Sequence, residues 1–203
     1  MKRLVLLALL STALFVHADD SPYLENTDKV ELEKPLLRVS KPAKEWTFMN
    51  LQVLKKQDLA RAGSAKGRVE DAYQHLKAQL NLGSASANFY VYAWTDDRKD
   101  VTSEKIGGEL LEQCRGCFKD KGKVASNGKT AHGKLEAWGF EVEGKLEGAD
   151  PSSTDETHVA KLAVFRPSDK MAFVLSLELP KKKLDAIRKD KKKLFSPDVV
   201  KLQ

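Results

Sequence analysis

From Met171 to Leu179 every second residue is apolar: Met171, Phe173, Leu175, Leu177 and Leu179 fall on one face. That is the period-two signature of a strand resting on a core. A second apolar stretch, His158 to Arg166, precedes it across the turn Arg166-Pro167-Ser168-Asp169. So short a turn permits only antiparallel pairing, so the two form a hairpin. Leu135 to Leu146 alternates in the same way, with Trp138, Phe140 and Val142 against Glu141 and Glu143, and Phe89 to Trp94 (FYVYAW) reads as a central strand rich in β-formers. Leu36 to Val39 opens the ordered part. Trp46, Phe48, Leu51 and Val53 continue it as a strand whose apolar phase shifts between Phe48 and Leu51, a bulge.

Three segments change to helical spacing. Val69, Ala72, Tyr73, Leu76 and Leu80 predict a helix over 68–82 that stops at Gly83. Ile106, Leu110, Cys114, Cys117 and Phe118 make one stripe over 103–119, with Ser103 as N-cap and Glu104 suited to the positive end of the dipole. Gly107 and Gly108 weaken its first turns by about 1 kcal/mol each relative to alanine. After Pro180, a lysine-rich helix turns Leu184, Ile187, Leu194 and Phe195 inward and stops at Ser196-Pro197. Strands, helix, strand, helix, three strands, helix: the order predicts an α+β fold, a mainly antiparallel sheet flanked by helices as an α/β/α sandwich.

The first eighteen residues belong to a different pattern. Lys2 and Arg3 precede a thirteen-residue run, Leu4 to Val16, and Val16 and Ala18 stand three and one before Asp19. That is a secretory signal peptide (1–18) cleaved after Ala18, and its core is too short for a span of roughly 20 residues. Asp19 stands where a lipid-anchored product would carry Cys. The expected product is exported, periplasmic or extracellular, and soluble, with no transmembrane segment. Residues 19–35 read as a flexible acidic leader and 36–203 as a single domain. Of 35 basic and 29 acidic residues in the chain, removal of Lys2 and Arg3 leaves a net +4. Export makes nucleic acid an unsuitable partner and points the lysine excess towards anionic polymers, lipid head groups or acidic proteins.

The segment Pro42-x-x-x-Trp46-x-Phe48, the late hairpin (HVAKLAVF, then MAFVLSLEL) and the ending Leu194-Phe195-Ser196 resemble PsbP-like domains, over about residues 36–198. That resemblance implies a secreted or lumenal α/β/α sandwich. The family's founding members are extrinsic photosystem subunits, and many bacterial relatives are exported proteins of unknown role. No family site residue carries over, and fold alone does not fix function.

Candidate chemistry is sparse. Cys114-Arg115-Gly116-Cys117 falls late in its helix, near the negative end, where a thiolate is disfavoured. A structural pair, disulfide or packed thiols, is the expectation, with a thiol-redox role and a metal role as alternatives. Two cysteines alone do not complete a zinc site. Asp71 and His75 form an ordinary helix-surface pair. His132 and His158, on strands read as neighbours, define a metal reading with Glu136 or Glu156. Lys181, Lys182, Lys183, Arg188, Lys189, Lys191, Lys192 and Lys193, offset by Asp185 and Asp190, offer a cationic surface for an anionic envelope component, or a solvated face whose stems cover apolar surface. No nucleophile elbow, metalloprotease helix, phosphate loop or calcium loop is present, so neither an enzyme nor a cofactor is expected. The leading expectation is a non-enzymatic exported binding or accessory domain.

Overall fold

The computed structural model describes residues 21–33, 35–98, 100–147 and 156–202. The expected signal segment 1–18, with its cleavage position, lies outside the described residues. In chain order the elements are β1 (Tyr23–Leu24), β2 (Lys29–Glu33), β3 (Leu36–Ser40), β4 (Thr47–Met49), α1 (Leu51–Arg61), α2 (Lys66–His75) and β5 (Leu76–Leu82). Then follow β6 (Ala87–Thr95), α3 (Ser103–Arg115), β7 (Lys123–His132), β8 (Leu135–Lys145), β9 (Thr157–Ser168), β10 (Met171–Pro180), α4 (Arg188–Leu194) and β11 (Val200–Leu202).

Eight strands form one antiparallel sheet in the order β1-β4-β5-β6-β10-β9-β8-β7, and β11-β3-β2 form a second sheet of three. The fold is α+β and mainly antiparallel, as the periodicity implies. One face of the large sheet presents Phe89, Val91, Phe165, Phe173, Leu175 and Leu177, covered by Leu37, Val39, Ile187, Leu194 and Val200 from the small sheet and the α4 region. The other presents Tyr90, Tyr92, Phe140, Leu162 and Val174 to Ile106, Leu110 and Cys114 of α3, with Tyr73 of α2 alongside. One cover is therefore helical, while the other mixes a small sheet with a short helix.

Several boundaries differ from expectation, each for a local reason. Asn50 ends the bulged strand: its side chain accepts hydrogen bonds from the N–H groups of Gln52 (3.2 Å) and Val53 (3.4 Å) and starts α1. The phase shift after Phe48 was thus a strand-to-helix switch. The helix expected over 68–82 ends at His75, and β5 takes Ala78, Leu80 and Leu82 into the core while Gln79 and Asn81 point the other way. A bulge between Leu76 and Ala78 sets that phase. Thr102, not Ser103, caps α3, accepting from the Lys105 N–H at 3.2 Å. The leader contains paired strands: Val30 and Leu32 of β2 face Val39 and Leu37 of β3 in register, and Glu31 meets Arg38 at 2.8 Å. The lysine-rich helix breaks into a single 3-10 turn (Lys181–Lys183) and the seven-residue α4, and β11 follows Pro197.

His132, at the end of β7, fastens the C-terminus. Its ring stacks on Phe165 (centroids 4.4 Å apart), which stacks on Phe173 (5.4 Å). Its two nitrogens lie 3.2 Å from the Phe195 carbonyl and 2.7 Å from the Val200 carbonyl. Trp46, fully buried, donates from Nε1 to Asp190 at 3.0 Å and ties α4 to the same layer.

Gly107 and Gly108 are not equivalent. A Cβ on Gly107 would overlap Cδ1 of Trp138, close to the base of a ring held by its Nε1 hydrogen bond to Asn127 (2.7 Å), whereas Gly108 faces open space. Gly107→Ala is expected to destabilise the fold by about 1–3 kcal/mol through overpacking. Gly108→Ala should stabilise it by up to about 1 kcal/mol through helix propensity. Urea denaturation of the two variants checks the opposite signs.

Candidate functional site

The strict alternation of β10 sends Phe173, Leu175 and Leu177 to one face, which leaves Ser176 and Glu178 on the other, beneath the helices. Two register rows cross the sheet there. Gln79 of β5 stands opposite Tyr90 of β6, and Tyr90 opposite Ser176; two residues along, Asn81 faces Asn88 and Asn88 faces Glu178. The α2 helix packs over β5 and β6, and α3 over β8 and β9, and β10 lies in the sheet between these two pairs of strands. Cys114 and Cys117 stand on the α3 side, while Tyr73 and Asp58 stand on the α2–α1 side, joined by a short hydrogen bond from the tyrosine hydroxyl.

Polar groups on this face are poorly matched. Asn81 donates to Asn88 Oδ1 at 3.0 Å, and Gln79 donates to the same oxygen at 3.5 Å. Gln79 Oε1 and Ser176 Oγ, in residues 6% and 0% exposed, have no hydrogen-bond partner among the described residues. Glu178 is surrounded by protein yet keeps a partial opening to solvent. Desolvation alone pushes its carboxyl up to about 7, with no compensating cation or donor among the described residues. Burial likewise raises the Tyr90 and Tyr92 hydroxyls and the Cys114 and Cys117 thiols, each further opposed by the nearby Glu178 charge. At the far end of the row, Gln79 also lines an open cavity of about 370 Å³ with Phe48, Asn50, Leu51 and Lys77.

Other charged clusters serve the fold. Asp96, 5% exposed, accepts from Arg98 Nε (2.9 Å) and Nη2 (2.7 Å), and Arg98 reaches Glu109 of α3 at 2.8 Å. The Arg98 hydrogen bonds hold the Asp96 carboxyl below the usual range. This clamp ties the loop before α3 to the helix.

The sites expected from sequence fare unevenly. No disulfide joins Cys114 and Cys117; both are thiols, and the Cys117 Sγ lies 3.6 Å from the Gln113 carbonyl. The metal reading is corrected. β8 lies between the strands of His132 and His158, which pair with Leu135 and Gly144, nine residues apart on β8, hence about 30 Å at ~3.3 Å per residue. Both His132 nitrogens are occupied by carbonyls, and Glu136 and Glu156 pair instead with Lys129 and Lys182. No cluster of three metal-ligating side chains occurs among the described residues.

Half of the cationic run is used internally. Lys181 pairs with Glu143 (2.6 Å), Lys182 with Glu156 (2.6 Å) and Lys191 with Glu141 (3.0 Å), while Lys193 reaches the Pro42 carbonyl at 3.5 Å. Arg188, Lys189 and Lys192 are exposed and without an ion pair among the described residues, and Lys183 is partly covered. The strip of polar residues across β5, β6 and β10 went unnoticed in the sequence. Its signal was the second phase of two strands, Tyr90 and Tyr92 on one and Ser176 and Glu178 on the other.

No protein-family model and no characterised protein matches the sequence. Among solved structures, the fold is similar to that of LpqN, a protein involved in cell envelope biogenesis of Mycobacterium tuberculosis. The two share 7% sequence identity at a TM-score of 0.52, covering 81% of this chain and 84% of that one. PA94, a protein of unknown function from Pseudomonas aeruginosa, matches 56% of this chain and 72% of its own at 14% identity and a TM-score of 0.42. Among the described residues no helix is long and apolar enough to cross a membrane.

The Glu178 carboxyl gives this sheet face a measurable signature. Its folded-state value of about 7 exceeds the ordinary 4.5, so the folded state binds the proton more tightly and stability falls as pH rises from about 4.5 to about 7. Glu178→Gln is expected to flatten that fall and to raise stability at pH 8 by up to about 3 kcal/mol, with little change at pH 4. Denaturation curves across pH check both limits.

Proposed function

We propose that this chain is an exported, non-enzymatic binding or accessory domain of the cell envelope, and that its ligand enters a groove between α2 and α3. The observation that carries the reading is the coincidence on one sheet face of three polar groups without partners among the described residues: Gln79 Oε1, Ser176 Oγ and the Glu178 carboxyl. Native interiors leave few such groups unmatched, and each costs about 1–3 kcal/mol when it is. A bound polar ligand supplies the missing partners.

Export rests on the pattern of residues 1–18, and the envelope setting draws on the fold shared with LpqN. A sheet covered on both faces also supports the PsbP-like family assignment, which is part of the same proposal. The non-enzymatic reading is supported by the thiols: burial holds Cys114 and Cys117 away from the thiolate form that a nucleophile or redox centre needs. A second reading keeps a specific observation in its favour. Arg188, Lys189 and Lys192 project from one short helix without an ion pair among the described residues, and that surface suits docking to anionic lipid or polymer.

The two surfaces lie on opposite faces of the large sheet, so variants separate them. Mass spectrometry of compounds retained from envelope extract should show a small molecule held by the wild type. Ser176→Val with Glu178→Leu should lower its retention at least tenfold, and Arg188→Gln/Lys189→Gln/Lys192→Gln should not. Equal retention by both variants would sink the groove reading. Salt-sensitive binding to phosphatidylglycerol vesicles, lost only in the triple variant, would favour the surface.

A further inference from the structure

We infer that the cavity near the edge of the large sheet, where β4 turns into α1, binds a monocarboxylate with a short apolar chain, its carboxylate group at Lys77. The site stands apart from the ligand reading for the α2–α3 face and does not depend on it; Gln79 is the residue that both share.

The cavity opens where two strands part. β4 pairs with β5 only through Thr47 with Asn81 and Phe48 with Leu80, and then leaves the sheet as Asn50 starts α1. Lys77, Ala78 and Gln79 of β5 have no strand partner on that side, and the open space beside them measures about 370 Å³. Ligand cavities span roughly 300–1,000 Å³, so the occupant is small. Leu24 of β1 and Val30 of β2 line the space together with Phe48 and Leu51, which gives it largely apolar walls. The Asn50 N–H donates to the Pro22 carbonyl at 2.8 Å and holds the N-terminal strand against the start of α1.

Charge in the cavity is one-sided. Among the described residues lining it, Lys77 alone is ionisable. Its half-buried ammonium donates once, to the Gln74 carbonyl at 2.9 Å, which leaves two N–H groups for a ligand. Burial pushes that ammonium below its usual range, a penalty that an adjacent anion offsets. Leu51 also brings the positive end of the eleven-residue α1 to the cavity, and the first turn of that helix holds no acid. Gln79, 6% exposed, lines the same space. Its Nε2 makes one long bond, 3.5 Å to Asn88 Oδ1, and its Oε1 has no partner among the described residues. A carboxamide held so loosely turns an N–H towards an acceptor by rotation about its last side-chain bond. One cation, one helix N-terminus and apolar walls match one negative charge on an apolar body. An alkylammonium would meet like charge, and an alcohol would leave Lys77 without a counter-charge.

Hexanoate, hexanol, hexylammonium and acetate, each titrated by NMR into the full chain, test this. Hexanoate should give saturable amide shifts centred on residues 48–53 and 77–79. The other three should bind at least about tenfold more weakly, each lacking either the charge or the chain. Lys77→Gln should weaken hexanoate by about tenfold or more, and Lys77→Arg should retain most of the affinity; the amide spectra of both variants report whether they are folded. Should Lys77→Gln unfold, the four probes on the wild type decide alone. Absence of saturable hexanoate shifts overturns the assignment, as does equal binding of hexanol or hexylammonium, or unchanged affinity in Lys77→Gln. Equal binding of acetate reduces the site to a surface lysine and also overturns it. Hexanoate shifts centred on residues 174–179 would overturn it too, while supporting a ligand site on the α2–α3 face.

Discussion

Burial of β10 on both faces is the constraint from which the rest of the molecule follows. The strand sits between β6 and β9, hydrogen-bonded on both edges, so neither side of it can be left to solvent without exposing the widest part of the core. Its first phase, Phe173, Leu175, Leu177 and Leu179, requires a cover, which the small sheet and the α4 region provide. Its second phase begins as Ala172 and Val174 and ends as Ser176 and Glu178. The apolar half is sealed by α3. The polar half lies in register with Asn88 and Tyr90 of β6 on one side and with Ala160 and Leu162 of β9 on the other.

What the sequence made legible was set by how far local pattern agreed with tertiary environment. The β9–β10 hairpin, the β6 strand and the stripe of α3 were plain because each has a sustained period. The segment from Leu76 to Leu82 was ambiguous: Leu76 and Leu80 satisfy a helical step of four and also a strand step of two. The alternation of Lys77, Gln79 and Asn81 with Ala78 and Leu80 is decisive only once β6 is there to pair with it. β7 was invisible as a strand since it is an edge exposed over most of its length, where no face must be apolar. β2 was hidden for a similar reason. Its Val30 and Leu32 stand among charges, and their burial depends on β3 and on β11 from the other end of the chain. Such long-range pairing leaves no local mark.

Charge runs were the least legible feature. Eight cations in thirteen residues look like a docking surface, yet Lys181, Lys182 and Lys191 find carboxylates on β8 and just before β9. The partners are 26 to 50 residues away in sequence, so no window around the lysines contains them. The Lys191–Glu141 pair, with side chains 18% and 14% exposed, is the most enclosed of the three and the one whose loss would matter most to the attachment of α4.

That pairing sharpens the meaning of the other face. Outward-pointing carboxylates of β8, Glu141 and Glu143, each receive a lysine, so the chain has cations within reach and places them against acids that need them. Glu178, two strands away and on the opposite face, receives none among the described residues. Replacing Ser176 and Glu178 with Val and Leu would continue the alternating apolar pattern of their neighbours and would remove unmatched polar atoms from the interior. A chain constrained only by stability would carry those residues. Keeping an acid, a hydroxyl and an amide oxygen without partners among the described residues, in two adjacent register rows, is a stability cost, and costs of that kind are characteristic of sites that act on something else.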